Sequence, residues 1–233
     1  IPANYWIEQG FDDAYSPVVK KFLSKIKWMT CDMRRGRYIP TLNLNLDLED
    51  GNENTLLVHD DILLPHWRQL TDALEEYNYP DAPLDFQLAN IHLVPKIIEM
   101  LTKALAATKI KDIYIQTSAF LQARHGIGFA TRIIQDNQRV RTLCYRDNTI
   151  GNDQDANGLV DVIMKHPSLK RIDLSSCFEG SNGYDILCRL LSSEKNERVT
   201  FMNNKIRTMG STHIPDYIAT NPPLERLNLK TNH

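Results

Sequence analysis

The chain has 233 residues, of which 42% are hydrophobic and 24% are charged, and its formal net charge at pH 7 is −2. This composition is typical of a globular protein and excludes an intrinsically disordered chain. The near-neutral charge gives no electrostatic reason to expect a nucleic acid or an anionic membrane as partner. No apolar run approaches the ~20 residues that a membrane-spanning helix needs, so we expect no membrane span.

The first elements are a helix and a strand. Apolar residues at helical spacing predict an amphipathic helix from Tyr15 to Met29. Alternating leucines then predict a strand over Ile39–Leu46. Residues 47–61 are acidic and rich in Gly and Asn, which predicts a long loop. A helix is predicted to follow, beginning near Pro65 and running through Tyr77.

A nine-residue pattern recurs along the rest of the chain, with apolar residues at its fourth and sixth positions. Four clear copies end in Asn or Cys and begin at Val140, Leu169, Asn196 and Leu224, which are 29, 27 and 28 residues apart. Looser copies begin at Pro83 and Ile110. The ninth position holds Ser118, Asn148, Cys177, Asn204 and Asn232 from the Ile110 copy onward. Each copy predicts a short strand followed by a turn, in which the ninth side chain satisfies backbone groups that would otherwise be unpaired.

The segments between the copies predict helices in register with one another. The residues ten and six positions before each copy form two columns, which predict one buried helix face. These pairs are Ala73 and Tyr77, Met100 and Ala104, Ala130 and Ile134, Leu159 and Ile163, Ile186 and Leu190, and Ile214 and Ile218. The sequence therefore predicts stacked strand–turn–helix units with a shared core.

This pattern resembles the leucine-rich repeat L-x-x-L-x-L-x-x-N/C-x-L, and its period resembles the ribonuclease-inhibitor-like type. The resemblance implies an α/β leucine-rich-repeat solenoid, a right-handed horseshoe with parallel strands on the concave face and helices on the convex face. We expect residues 1–38 to form an N-terminal helical cap and residues 39–233 to form the repeats. Within the repeats, 39–82 are irregular, 83–233 are regular, and the last is truncated, so we expect a fragment of a longer protein.

No motif in the chain assembles a catalytic site, so we predict no enzyme activity, no metal and no cofactor. Asp153–Gly158 imitates the start of a calcium loop, but Met164 stands where a bidentate glutamate is needed, and the segment is interpreted as a helix start. His125–Gly128 lacks the third glycine of a dinucleotide site and is interpreted as the opening of a repeat helix. His166 and His213, at predicted helix ends, are interpreted as structural or solvent-facing.

The four cysteines, Cys31, Cys144, Cys177 and Cys188, show no C-x-x-C spacing. In the repeat frame, Cys177 lies in a buried turn and Cys188 lies on a helix. We therefore predict reduced thiols and a cytoplasmic, intracellular location in a reducing compartment.

The outward strand positions form the candidate binding surface, because neighbouring strands stack equivalent residues ~4.8 Å apart. The first outward position of each strand holds Thr41, Asp85, Asp112, Thr142, Arg171, Arg198 and Arg226. This face is polar to acidic in its N-terminal half and carries an arginine column in its C-terminal half. Guanidinium groups suit carboxylates, which favours an acidic surface on a protein partner. The predicted partner-binding residues are Tyr114, Arg141, Arg146, Arg171, Arg198, Arg226 and Lys230.

The alternative interpretation of this face is a solvated surface that nearby acidic side chains neutralise in part. Those side chains are Asp147, Asp173, Glu197 and Glu225. The resemblance implies a non-catalytic protein-binding scaffold or an assembly subunit of a larger complex. It also leaves open a regulator of an enzyme, of the inhibitor or GTPase-activating type, and the sensor arm of an innate-immunity receptor.

Overall fold

A computed structural model describes residues 1–2, 4–46, 55–77, 82–117, 120, 122–178, 182–206, 213–220 and 222–232. Helices and strands alternate in these ranges. The helices are α1 (Tyr5–Glu8), α2 (Tyr15–Arg34), α3 (Leu64–Glu76), α4 (Pro95–Ala106), α5 (Ala123–Asp136), α6 (Asp153–Lys165), α7 (Asn182–Leu191) and α8 (His213–Ala219). The strands are β1 (Thr41–Asn45), β2 (Leu57–Val58), β3 (Leu84–Ala89), β4 (Ile91–His92), β5 (Ile110–Gln116), β6 (Thr142–Arg146), β7 (Arg171–Asp173), β8 (Arg198–Thr200) and β9 (Arg226–Asn228).

The main sheet contains seven parallel strands in the order β1-β3-β5-β6-β7-β8-β9. Its register confirms the predicted alignment: Leu143 pairs with Ile172, which pairs with Val199. The inward residues at the fourth and sixth repeat positions pack against the helices, and together they form one continuous core. The parallel sheet and the recurring strand–turn–helix unit fit a leucine-rich-repeat-like fold.

The helix columns are largely confirmed. Ala104, Ala130, Ile134, Leu159, Ile163, Ile186 and Leu190 are all at most 2% exposed. The prediction is wrong for Ile218, which is 55% exposed. Helix α8 instead packs Ile214 and Tyr217, which lie three residues apart on one helix face, against the core.

The ninth repeat position forms the predicted ladder of buried side chains. Asn148 donates from Nδ2 to the Ile115 carbonyl of the preceding strand at 3.1 Å, and Asn204 donates to the Leu174 carbonyl at 2.9 Å. The thiol of Cys177 donates to the Tyr145 carbonyl at 2.9 Å. Burial raises the pKa of Cys177 to about 12, so the thiol keeps the proton that this bond needs. Ser118 lies outside the described residues.

The eighth position has a conformation that the pattern does not reveal. In six successive copies its backbone is left-handed, with φ between 53° and 62°. The residues are Asn90, Thr117, Asp147, Ser176, Asn203 and Thr231. This conformation turns the chain out of the strand, and the following ninth side chain can then reach back to the preceding unit.

A second polar ladder joins the helix ends and confirms a structural role for His166. The Nδ2 group of Asn137 donates to the Leu105 carbonyl at 3.3 Å. His166 is 4% exposed, and its Nδ1 accepts from the Leu169 N–H at 3.0 Å. The ring proton is therefore on Nε2, which donates to the Asn137 carbonyl at 3.0 Å. The Lys195 ammonium caps three carbonyls at the end of α6.

The N-terminal segment is more extensive than predicted, since α2 continues from Tyr15 to Arg34 rather than ending at Met29. It packs beside α3 and against β1. The Lys25 ammonium donates to the Asn45 carbonyl at 2.8 Å, which covers part of the edge of β1. None of the helices in the described ranges is both long enough and apolar enough to cross a membrane.

Part of the predicted loop at 47–61 is instead ordered structure. Residues 47–54 lie outside the described residues, but β2 pairs in parallel with β4 as a second, two-stranded sheet. Asp60 then caps a short 3₁₀ turn by accepting from the Ile62 N–H at 2.8 Å and also accepts from the Tyr5 hydroxyl at 2.9 Å. Strands of two residues carry too little periodicity to be predicted.

The two motifs interpreted as helix starts are confirmed as such. Asn152 is the N-cap of α6 and accepts from the Asp155 N–H at 2.8 Å. Asp153–Gly158, the segment that resembles the start of a calcium loop, therefore forms the first turns of this helix. In α5, a methyl group added at Gly126 would overlap the Tyr145 hydroxyl and the Phe120 ring. This glycine therefore allows close packing of the helix.

Candidate functional site

The open face of the main sheet carries the outward side chains of all seven strands in aligned rows. The first row pairs Thr41, Asp85, Asp112, Thr142, Arg171, Arg198 and Arg226 from β1 to β9. Exposure in this row is lowest at Asp112, which is 8% exposed, and highest at the three arginines, which are all exposed. The predicted arginine column is therefore present and accessible to solvent.

Two glutamates divide the arginine column. Each immediately precedes the arginine of its own strand and contacts the arginine of the strand before. Arg171 Nε lies 3.7 Å from Glu197 Oε2, and Arg198 Nε lies 3.3 Å from Glu225 Oε2. These carboxylates offset the repulsion between cations on neighbouring strands. Partial neutralisation of the arginines by nearby carboxylates, the alternative interpretation of the sequence, is therefore present on this face.

Lys170 shares Glu197 with the arginine column. Its Nζ donates to Glu197 Oε1 at 2.7 Å, and this bond holds the pKa of Glu197 below its usual value. One carboxylate therefore serves two cations, Lys170 and Arg171. The cationic charge at the start of β7 is only partly offset.

Arg146 is held by a different contact. It ends β6 and forms an ion pair with Asp173 of β7, and this hydrogen bond raises the pKa of Arg146. Asp173 also accepts from the Ser175 hydroxyl at 2.6 Å. This network connects two strands of the sheet, so Arg146 has a structural partner already.

Three of the predicted partner-binding residues carry a positive charge that no described carboxylate offsets. Arg141, Arg226 and Lys230 are exposed, and none of them forms an ion pair within the part of the chain that the structure describes. Arg141 precedes β6, whereas Arg226 and Lys230 flank the two ends of β9. These cations are available to an external anion.

Tyr114 lies in the acidic half of the face, half-buried between Gln87 and Cys144 of the neighbouring strands. Burial, followed by the negative charge of Asp112 and Asp85, raises the pKa of Tyr114. The phenol is therefore neutral at physiological pH and presents a ring and a hydroxyl. Burial and the Asp112 charge also raise the pKa of Asp85.

A depression of about 520 Å³ opens at the amino-terminal ends of β5, β6 and β7. Its charged lining consists of Lys111, Asp112, Arg141, Lys170, Arg171 and Glu197. Two of the predicted residues, Arg141 and Arg171, thus come together there with Lys170. Arg198, Arg226, Tyr114 and Lys230 do not line it.

Sequence reasoning missed Lys111. The signal is its place at the second repeat position, where the next four units carry Arg141, Lys170, Glu197 and Glu225. This column changes from basic to acidic between β7 and β8, so the basic excess lies around β6 and β7 and not along the whole arginine column. Across the described residues, no three His, Cys, Asp or Glu side chains form a group that could hold a metal ion.

Comparison with known proteins gives a structural likeness only. No protein-family model and no curated protein matches the sequence. The structure is similar to a solved structure described as leiomodin-1 actin-binding site 2, with a TM-score of 0.46 and 17% sequence identity. The match covers 70% of this chain and 86% of that chain.

Proposed function

We propose that the chain is a non-catalytic scaffold or assembly subunit that binds an acidic protein partner through the open face of its main sheet. The observation that carries this proposal is the strand register, which aligns outward side chains from seven strands into one surface. A protein surface suits such a face, because its polar groups are spread over many strands rather than gathered around one reacting atom.

The proposed architecture is a right-handed horseshoe solenoid of the ribonuclease-inhibitor-like type. Residues 1–38 would be its helical cap and residues 39–233 its repeats. Support comes from the alternation of strand, turn and helix and from the ninth-position ladder. In this arrangement the open face of the sheet is the concave surface.

The charge on this face favours an acidic partner at its C-terminal half. Arg141, Arg226 and Lys230 have no ion pair among the described residues, and Arg171 shares a single carboxylate with Lys170. Charged side chains of this kind steer association and select orientation more than they add affinity. Asp85 and Asp112 at the other half would disfavour an acidic surface there.

The test compares two triple charge reversals of the same size. The sheet-face variant carries Arg171→Glu, Arg198→Glu and Arg226→Glu, and the control variant carries Lys20→Glu, Lys27→Glu and Arg34→Glu at exposed positions of α2. Affinity purification with quantitative mass spectrometry should show partner loss only for the sheet-face variant. Loss of the partner with the α2 variant alone would place the interface on the helices and refute the proposal.

A further inference from the structure

The depression at the ends of β5, β6 and β7 is lined by six charged residues, together with Pro167 and Ser168. The charged side chains come from four successive units: Lys111 and Asp112, then Arg141, then Lys170 and Arg171, then Glu197. The backbone fixes their spacing, since the N–H groups of Lys170 and Arg171 both donate to the Arg141 carbonyl at 3.0 Å. The cations are thus held on neighbouring strands of a hydrogen-bonded sheet.

Cations outnumber carboxylates in this lining by two. The Lys111 ammonium lies 3.3 Å from Asp112 Oδ2, which pairs one cation with one carboxylate. Glu197 is the only lining carboxylate near Lys170 and Arg171, at 2.7 and 3.7 Å. Arg141 forms no ion pair with any described residue. Two positive charges therefore remain to be matched by a ligand.

The two arginines supply the donor geometry for a tetrahedral oxyanion. Arg171 forms one ion pair, from Nε to Glu197 Oε2 at 3.7 Å. Among the described residues, neither its guanidinium group nor that of Arg141 forms a hydrogen bond, and each of the two groups has five N–H donors. A phosphorylated side chain carries about −1.5 to −2 charges at pH 7 and three acceptor oxygens, which matches this surplus. A single carboxylate would leave about one positive charge unmatched.

We infer that this depression binds a phosphorylated serine or threonine side chain of the protein partner. The inference rests on the proposed function and makes partner binding depend on phosphorylation. Arg141 and Arg171 clamp the phosphoryl oxygens, and Lys111 and Lys170 add charge from the adjacent strands. Glu197 orients Lys170 and Arg171 through its two ion pairs.

The direct test measures binding of three labelled octapeptides that share one neutral sequence and carry phosphoserine, glutamate or serine at the centre. Fluorescence anisotropy at about 0.15 M salt keeps nonspecific surface attraction low. We expect the phosphoserine peptide to bind about tenfold tighter than the glutamate peptide, the effect of one additional charge-assisted hydrogen bond. The Arg141→Gln/Arg171→Gln variant should lose this preference, and the Arg226→Gln control, outside the depression, should keep it.

Three outcomes would overturn the inference: no binding of the phosphoserine peptide, equal binding of the phosphoserine and glutamate peptides, or a preference that survives in the double variant. A second arm separates this failure from failure of the proposed function. If phosphatase treatment of the partner leaves capture unchanged while the sheet-face triple reversal abolishes it, the sheet-face function stands and the phosphate site fails. If capture survives both treatments, the function fails as well.

Discussion

The units that contain β6, β7 and β8 and the unit that ends in β9 carry the same repeat pattern but bury it to different extents. Leu143 and Leu174 are 0% exposed, whereas Leu227 and Leu229 in the last unit are only half-buried. Helix α8 has no buried residue. The pattern therefore determines register and turn, while burial depends on neighbours on both sides.

The largest expected difference between the two regions is in core truncation. Leu174→Ala should lower the free energy of unfolding by about 2–5 kcal/mol, because it leaves a cavity in a closely packed unit. Leu227→Ala should cost about 1 kcal/mol, since part of its side chain is already in water. Urea unfolding of both variants and the parent chain measures this. Equal losses would show that the last unit is packed as tightly as the middle ones.

The next difference concerns the ninth-position ladder. Asn204 donates to the Leu174 carbonyl and accepts from the Cys177 N–H at 2.8 Å, both in a fully buried turn. Asn204→Ala should therefore cost about 2–4 kcal/mol, and Asn232→Ala about 1 kcal/mol, because water can reach the half-buried Asn232.

Asn204→Cys is the control for that pair. It places at this position the residue type that the preceding unit carries at Cys177, whose thiol donates to the Tyr145 carbonyl. We expect partial recovery of the thermal midpoint relative to Asn204→Ala. If the alanine and cysteine variants have the same thermal midpoint, the hydrogen bond donated to the preceding strand contributes nothing to stability.

Within α5, two glycines allow a sharper comparison in one helix. Gly126→Ala should lower stability by about 1–3 kcal/mol, because the new methyl group overlaps Tyr145 and Phe120. Gly128 is exposed and an added methyl group meets nothing within 4 Å, so Gly128→Ala should raise stability by up to about 1 kcal/mol. Thermal melts of the two variants should shift in opposite directions. A shift in the same direction would contradict the close packing at Gly126.

A pH dependence of stability is expected at His166, which ends helix α6 in the unit that precedes β7. Burial lowers the pKa of His166, outweighing the opposing effect of its hydrogen bond to the Asn137 carbonyl. The unfolded chain therefore binds this proton more readily, and stability should fall as pH drops below the ordinary histidine pKa near 6.5, by at most about 1.4 kcal/mol per pH unit. The slope should be shallower between pH 6.5 and 5 in His166→Asn. An unchanged slope would assign it to other groups.

The sequence predicted the strand register because a repeated pattern gives several independent copies of one alignment. Three of the features that the sequence did not reveal either lack such repetition or depend on the space available in the fold. The β2–β4 pair consists of dipeptides, and the polar ladder through Asn137 and His166 uses different residue types at one place. Ile218 fits the helix period but is exposed, and α8 packs Tyr217 against the core instead.

The candidate site was predicted by position but not by charge. Outward positions follow from the alternation of side chains along a strand, so the sequence alone is enough to place the arginine column. The ion pairs on this face could not be predicted from the sequence. Glu197 contacts Arg171 of the preceding strand, and the two residues are 26 positions apart in the sequence. The location of the basic excess at Lys111, Arg141 and Lys170 depends on such pairs, and single-sequence reasoning does not count them.

The left-handed residue at the eighth repeat position has a consequence for how this chain can change over evolution. A non-glycine residue in that conformation costs of order 1 kcal/mol or more, and β-branched residues such as Thr117 and Thr231 tolerate it worst. Asn90, Asp147 and Asn203 adopt this conformation most easily, so Thr117, Ser176 and Thr231 carry most of the cost. Mutational drift at this one column is therefore confined to a small alphabet, in which asparagine, aspartate and glycine are the easiest replacements. An alignment of repeats that scores only leucines overlooks this restriction.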